Sequence, residues 1–430
     1  MTTRLIQVCG CLSKLPLQAM TAARATRYVV TTVIAGLVIS ISAAARADIT
    51  VYHDADNSHY HESALAIQLG IELAFSEIEN VVQGHKVKFK YLDHRGNVVR
   101  SKRNYQEYID DPQALVMFSG IHSAPLIRNR DFINRNSALT LVPWAAGAPI
   151  TRHPSENNWV FRLSVDDSTA GSFLINYAMD AVSCRRPHLV IEQTPWGDTN
   201  LRNMSEALES RGFNTMRVSK FGFGLGLRGA QNLADAVVKS GSDCVVLVAN
   251  GIEGAAIVNA LARRSAPSRL SVISHWGIVA GQFHQLVPAA NRQKVNLRFI
   301  QTCFAFTEEK QSVFSSAVFS RLVQFTQGAI KKPEDLAAAV GFVHAYDLTR
   351  LLIQALQQIS ITGVKAKDQA ALRASLESLT TPVTGLLKTY ASPFTRYNDE
   401  YNRQAHEALG PTDYCMGRYG QNNEVLIERE

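Results

Sequence analysis

An α/β architecture built on parallel sheets is predicted by three features of the chain beyond residue 48: short apolar runs rich in β-branched residues, helical stretches that alternate with them, and a length that exceeds one hydrophobic core. The strand candidates are Ile49–Tyr52, Val87–Tyr91, Leu115–Phe118, Leu139–Val142, Val160–Leu163, Leu189–Glu192, Met216–Phe221, Val245–Val248, Leu270–Ser274 and Phe299–Phe306. Most are continuously apolar, as in a sheet covered on both faces.

Helices are predicted between them. Glu62–Asn80 carries Ile67, Ile71, Ala74 and Ile78 at spacings of four and three, with Glu72 and Glu79 off that stripe. Further helices are expected at Ala124–Asn136, Asp167–Ser183, Asn200–Arg211, Ala230–Ser240, Gly254–Arg264, Glu308–Gln327 and Pro333–Gln358. Pro333 suits a first helical turn, and Leu348, Leu351, Leu352, Ala355 and Ile359 line one face of the helix it would open. There is no short repeat and no low-complexity linker, so two βα-rich halves joined near Arg162–Asp167 are expected.

Residues 1–47 read as an export signal. Arg24 and Arg27 precede an uncharged run, Tyr28–Ile41, which is short for a membrane span and is followed by small residues ending Ala45-Arg46-Ala47. Cleavage after Ala47 would make Asp48 the mature N-terminus, and Met20 offers an alternative start of conventional length. No cysteine follows the apolar run at the cleavage point, so a free periplasmic protein rather than a lipid-anchored one is expected.

The full chain carries 44 basic and 37 acidic residues, but five of the basic ones lie in the leader, which leaves 39 against 37. That near balance, without basic runs, gives no electrostatic footprint for nucleic acid. The cysteines beyond the leader are Cys184, Cys244, Cys303 and Cys415, an even number without zinc-binding spacing, which points to disulfides.

Several segments resemble the type I periplasmic binding proteins of the leucine/isoleucine/valine-binding kind. Ala64-Leu65-Ala66-Ile67-Gln68-Leu69-Gly70-Ile71-Glu72-Leu73-Ala74 resembles that family's first helix, and Gly120-Ile121-His122-Ser123-Ala124-Pro125-Leu126 the turn after its third strand. Pro143-Trp144-Ala145-Ala146-Gly147 resembles the turn after the fourth strand, and Phe161-Arg162 with Asp166 or Asp167 the crossover into the second lobe. Trp196-Gly197 resembles an aromatic-glycine pair of the family, and Gly341–Ala355, with Tyr346-Asp347, its long late helix.

The resemblance runs from residue 48 to about 390. It implies two Rossmann-like lobes with parallel sheets joined by three hinge crossovers, with lobe 1 formed by 48–164 and 306–386 and lobe 2 by 165–305 and 387–430. It further implies a monomeric periplasmic component of an ABC uptake transporter, without cofactor or catalysis, that traps an amino acid or carboxylate-like ligand and delivers it to an inner-membrane permease. Because the family's strand order makes the strands after Cys184 and Cys244 neighbours, it also implies a Cys184–Cys244 disulfide, with a Cys303–Cys415 pair open.

Ligands of such folds bind beyond the carboxyl ends of strands, at helix N-termini. Ser123, either as a helix N-cap or as a ligand donor, and the N–H groups around Ala145 and Ala146 would form a carboxylate cradle. Trp144, Trp196 and Trp276 follow strands and would form walls, although tryptophan is also a core residue, and Asn250 follows the strand Val245–Val248. Two positions depart from the resemblance: Ala146 stands where amino-acid binders offer threonine, and Trp276 where they place the glutamate that meets the ammonium. Glu253, Asp198 and the acids near Asp54 are the remaining counter-ion candidates.

Rival readings have their own residues. Gly224-Leu225-Gly226-Leu227-Arg228-Gly229 spells a dinucleotide fingerprint, but it lacks the acid on a following strand. His53, Asp54, Asp56, His59, His61 and Glu62 make a dense set of metal-ligand types without HExxH. No nucleophile elbow or P-loop occurs in context. A sensor that presents its ligand to a membrane receptor or kinase is the main functional alternative.

Overall fold

The computed structural model describes residues 48–154, 157–264 and 270–428, so the expected leader, 1–47, lies outside the described residues. Two sheets dominate. The first has the order β2-β3-β1-β4-β5-β6, formed by Val81–Val82, His85–Asp93, Ile49–Ala55, Ala114–Ser119, Thr140–Val142 and Val160–Arg162. It is parallel except for the β2–β3 hairpin.

The second has the order β15-β14-β11-β10-β9-β7-β8: Val425–Glu428, Tyr414–Tyr419, Arg298–Thr302, Ser271–Ser274, Cys244–Val248, Pro187–Glu192 and Arg217–Phe221. Its parallel core is extended by β14 and β15, which run antiparallel. Central strands such as β4 and β9 are buried along their whole length because helices cover both faces, which is why their sequences are continuously apolar.

The helices of the first layer are α1 (His61–Ser76), α2 (Val98–Asp110) and α3 (Ser123–Arg135). Those around the second sheet are α4 (Asp167–Asp180), α5 (Pro195–Glu209), α6 (Leu227–Lys239), α7 (Gly251–Arg264) and the short α8 (Phe283–Leu286) and α9 (Ala289–Lys294). The chain then returns to the first layer as α10 (Val313–Phe325), α11 (Ala339–Gln357) and α12 (Lys365–Leu376), forms the small hairpin of β12 (Val383–Thr384) and β13 (Thr389–Tyr390), and crosses once more into β14. It passes between the sheets three times. Gly70 lets α11 lie directly on α1, since a Cβ there would stand 2.5 Å from the Phe342 carbonyl oxygen. Among the described residues, no helix is long and apolar enough to cross a membrane.

Several boundaries differ from expectation for local reasons. The late helix starts at Ala339 rather than Pro333, because Ala338 takes a left-handed φ of 54° and Pro333–Asp335 forms only one 3-10 turn. The preceding helix starts at Val313 rather than Glu308, where the Ser312 hydroxyl accepts the Ser315 N–H and caps it. The strand expected over Phe299–Phe306 stops at Thr302. Residues 394–408, expected in the second lobe, lie against the first sheet: Arg162 N donates to the His406 carbonyl and Ala408 N to the Arg162 carbonyl, each at 2.9 Å, and the His406 ring stacks on Phe161.

Two disulfides brace the second sheet. Cys184–Cys244 has its Cα atoms 5.8 Å apart beside the paired strands β7 and β9, and Cys303–Cys415 has them 5.0 Å apart beside β11 and β14. At the first crossover, fully buried Arg162 donates to both oxygens of Glu407 at 2.7 and 2.8 Å and pairs with Asp166 at 2.9 Å. The charge is thus balanced where the chain leaves the first sheet.

Candidate ligand-binding cleft

The carboxyl ends of strands from both sheets face one space of about 430 Å³, part of it open to solvent. From the first sheet, β4 leads through Gly120-Ile121-His122 into α3, and β5 into the turn 143–147. The Ser123 Oγ accepts the Gly147 N–H at 3.1 Å and so ties these two turns together. The N-cap position of α3 is His122, which corrects the expectation that Ser123 caps a helix beginning at Ala124.

Trp144 is buried against Gly341, where a Cβ would stand 2.7 Å from the indole. Behind it, His344 Nδ1–H donates to the Pro143 carbonyl at 2.9 Å, so Nε2 accepts the Thr302 hydroxyl at 3.0 Å. Burial lowers the His344 pKa to about 4, which keeps the ring neutral for this pair of bonds.

The opposite wall comes from the second sheet. Thr194 Oγ1 accepts the Gly197 N–H at 3.2 Å and caps α5, which sets Trp196 at the cleft. Trp276 and Gly277 follow β10, and Asn250 follows β9. Trp276 meets Trp144 edge to face with ring centres 6.3 Å apart, and Trp196 meets His275 at 5.0 Å. His275 Nε2–H donates to Asp167 at 2.8 Å in a fully buried pair.

Ser123, Trp144, Ala146, Trp196, Asn250 and Trp276 all line this space. Ala145 does not: it packs into the first lobe's core with Tyr52 and Val142. Sequence reasoning missed His122, Glu192, Thr194 and Phe223, which line it too. The signal for Glu192 was present, an acid closing the apolar run Leu189-Val190-Ile191.

Glu192 accepts from Asn250 Nδ2 at 3.2 Å. Burial, reinforced by the neighbouring Glu253, pushes its pKa up to about 7. Glu253 Oε1 accepts the Gly224 N–H at 3.0 Å, while its Oε2 and the Trp196 Nε1 are buried without partners. Of the other counter-ion candidates, Asp198 pairs with Lys220 at the surface, and Asp54 is held by Ser101 and Asn104.

The dense run from His53 to Glu62, which begins within β1, disperses. Asp56 accepts from His122 and His59, His61 meets Asn57, and Glu62 meets Gln282. Burial works against the Asp56 charge, but the His122 and His59 hydrogen bonds outweigh it and bring its pKa to about 2. The glycine-rich stretch is the end of the loop before α6 and the first turn of that helix, and its Gly224 N–H is already given to Glu253. A larger hollow of about 750 Å³, lined by Phe304, Phe306, Leu336 and Val343, does not gather the strand ends of both sheets.

A crystal structure of a type 1 periplasmic binding protein from Bordetella pertussis Tohama I matches the chain with a TM-score of 0.72 at 16% identity, over 89% of this chain and 99% of that one. A leucine-binding protein from Thermotoga maritima MSB8 matches at 0.69 and 14% identity, over 89% and 98%. The solute-binding protein of an ABC transporter from Rhodopseudomonas palustris HaA2, in complex with p-hydroxybenzoic acid, matches at 0.70 and 16% identity, over 89% and 96%. At these identities the likeness is one of fold. No curated protein matches the chain in sequence. The family model described as "Periplasmic binding protein" matches residues 54–408, most of the chain, and the protein therefore belongs to the periplasmic binding protein family.

Proposed function

We propose that the protein is the periplasmic solute-binding component of an ABC uptake system, in which a small organic ligand with an apolar or aromatic body is trapped between the lobes and handed to an inner-membrane permease. The observation that carries this reading is the convergence of Trp144 from one lobe with Trp196 and Trp276 from the other on one cleft. A ligand touching both walls favours the closed arrangement by its differential affinity, and closure is the signal a permease reads. The solved relatives described as leucine-binding and p-hydroxybenzoate-bound support a ligand of this size. No catalytic role is assigned to any residue.

In this reading residues 1–47 are the cleaved leader and Asp48 begins the mature chain, which N-terminal sequencing of the exported protein checks. Ser123, Ala146 and Asn250 supply polar edges, with Ala145 behind them. A thermal-shift screen of residues 48–430 against amino acids, small carboxylates, amines and aromatic acids tests the function itself. Stabilisation by one organic class, weakened by Trp196→Ala without loss of fold, is expected. No response to any class would overturn the proposal.

A further inference from the structure

Resting on the ligand-trapping reading, we propose that the ligand presents a cationic nitrogen, an ammonium or a related protonated amine, to Glu192 on the cleft wall, whose buried neighbour is Glu253. Glu192 and Glu253 are 1% and 5% exposed, and neither makes an ion pair with a basic side chain among the described residues. The cleft lining contains no lysine or arginine.

Their hydrogen-bond partners are all uncharged. Glu192 accepts from the Asn250 side-chain amide and backbone N–H and from the Thr194 hydroxyl, and Glu253 receives one backbone N–H from Gly224 on Oε1, which leaves Oε2 buried and bare. Two buried carboxylates of like sign cannot both ionise cheaply, and removing one charge by protonation is the resting solution. A cation in the cleft beside Glu192 is the better one, because it compensates that carboxylate directly and offsets the repulsion from Glu253.

The apolar part of the ligand has a complementary place against Trp196 and Trp276. An aromatic face beside a cation adds attraction of its own. A simple benzoate, by contrast, would bring a second negative charge toward Glu192.

The test uses the mature protein at pH 7 with four probes that share one aromatic ring: benzylamine, 4-(aminomethyl)benzoate, benzyl alcohol and benzoate. Calorimetric titration is expected to give the two amines at least tenfold tighter binding than benzyl alcohol or benzoate. Amine binding should also release protons, read as a dependence of the heat on the ionisation enthalpy of the buffer. Glu192→Gln and Glu253→Gln should each erase the preference while retaining native circular dichroism and binding of benzyl alcohol. If benzyl alcohol or benzoate binds as tightly as the amines, or if both variants keep the preference, the cationic assignment falls and the trapping function stands. If none of the four binds, the cationic assignment falls, and the trapping function is decided by the thermal-shift screen alone.

Discussion

Ser63 on α1 accepts the Gly281 N–H at 2.9 Å, joining the first lobe to the turn that follows β10 and the Trp276 segment of the second. Beside it, Gln282 Nε2 donates to Glu62 at 2.6 Å. Both bonds exist only while the lobes meet, so they weigh on the closed side of the equilibrium. Ser63→Ala leaves a buried N–H unsatisfied in the closed form alone, at a cost of about 1–3 kcal/mol, because the open form returns that group to water. Ligand affinity should fall on the order of tenfold with the melting temperature of the ligand-free protein little changed. Unchanged affinity by calorimetry, together with unchanged small-angle scattering, would reject the closing role.

Gly277 is fixed by close approach rather than by backbone conformation. A Cβ at this position would lie 2.4 Å from the Ala249 carbonyl oxygen, 2.9 Å from the Trp196 ring and 3.1 Å from Asn250 Oδ1. Gly277→Ala should therefore displace Trp196 and Asn250 together, weakening binding more than it lowers stability. Titration with the ligand identified by screening, beside a thermal melt, separates the two effects; a stability loss with intact affinity would contradict this account.

The parts of the molecule that were legible in the sequence are those written by burial. Runs such as Cys244–Val248 must be strands between helical layers, and the stripe Ile67, Ile71, Ala74 must face α11. Helix α2 was not legible because its buried side is only Ser101, Tyr105 and Tyr108, with Asn97 capping it through the N–H groups of Val99 and Arg100. Tertiary placement also escaped the sequence. Nothing in Glu407 announces a buried partner for Arg162, separated from it by most of the chain. At the cleft, strand-end tryptophans were visible as a pattern, whereas the meeting of Glu192 with Asn250 and Glu253 depends on how β7, β9 and α7 pack side by side.

The two disulfides close segments separated by 60 and 112 residues, and both lie in the second sheet. In the chain-entropy picture they restrain the unfolded chain by about 4 and about 5 kcal/mol respectively. Replacing Cys184 and Cys244 by alanine should lower the melting temperature markedly, and replacing Cys303 and Cys415 should add a loss of similar size, since the pairs brace different strand neighbours. Differential scanning calorimetry of the two double variants measures this. Melting unchanged in both would show that the bridges contribute nothing to the fold.

Glu192 should make the ligand-free protein less stable as the solution turns alkaline. Its folded pKa of about 7 lies above the ordinary 4.5, with burial as the main cause and Glu253 second. Below pH 4.5 the group is protonated both folded and unfolded, and its effect on stability is nil relative to glutamine. Between pH 4.5 and 7 the unfolded chain has released the proton while the folded chain retains it, so stability declines with rising pH and levels off above 7. The shift corresponds to a loss on the order of 3 kcal/mol at most. Asp54 and Asp347, which burial likewise pushes up, to about 7 and about 6, titrate in wild type and variant alike and cancel in the comparison. Glu192→Gln should thus match wild type near pH 4 and exceed it in urea-unfolding stability at pH 8. If the two curves run parallel from pH 4 to 8, Glu192 carries no buried, proton-linked charge, and the acidic wall of the cleft is already neutralised by some other group.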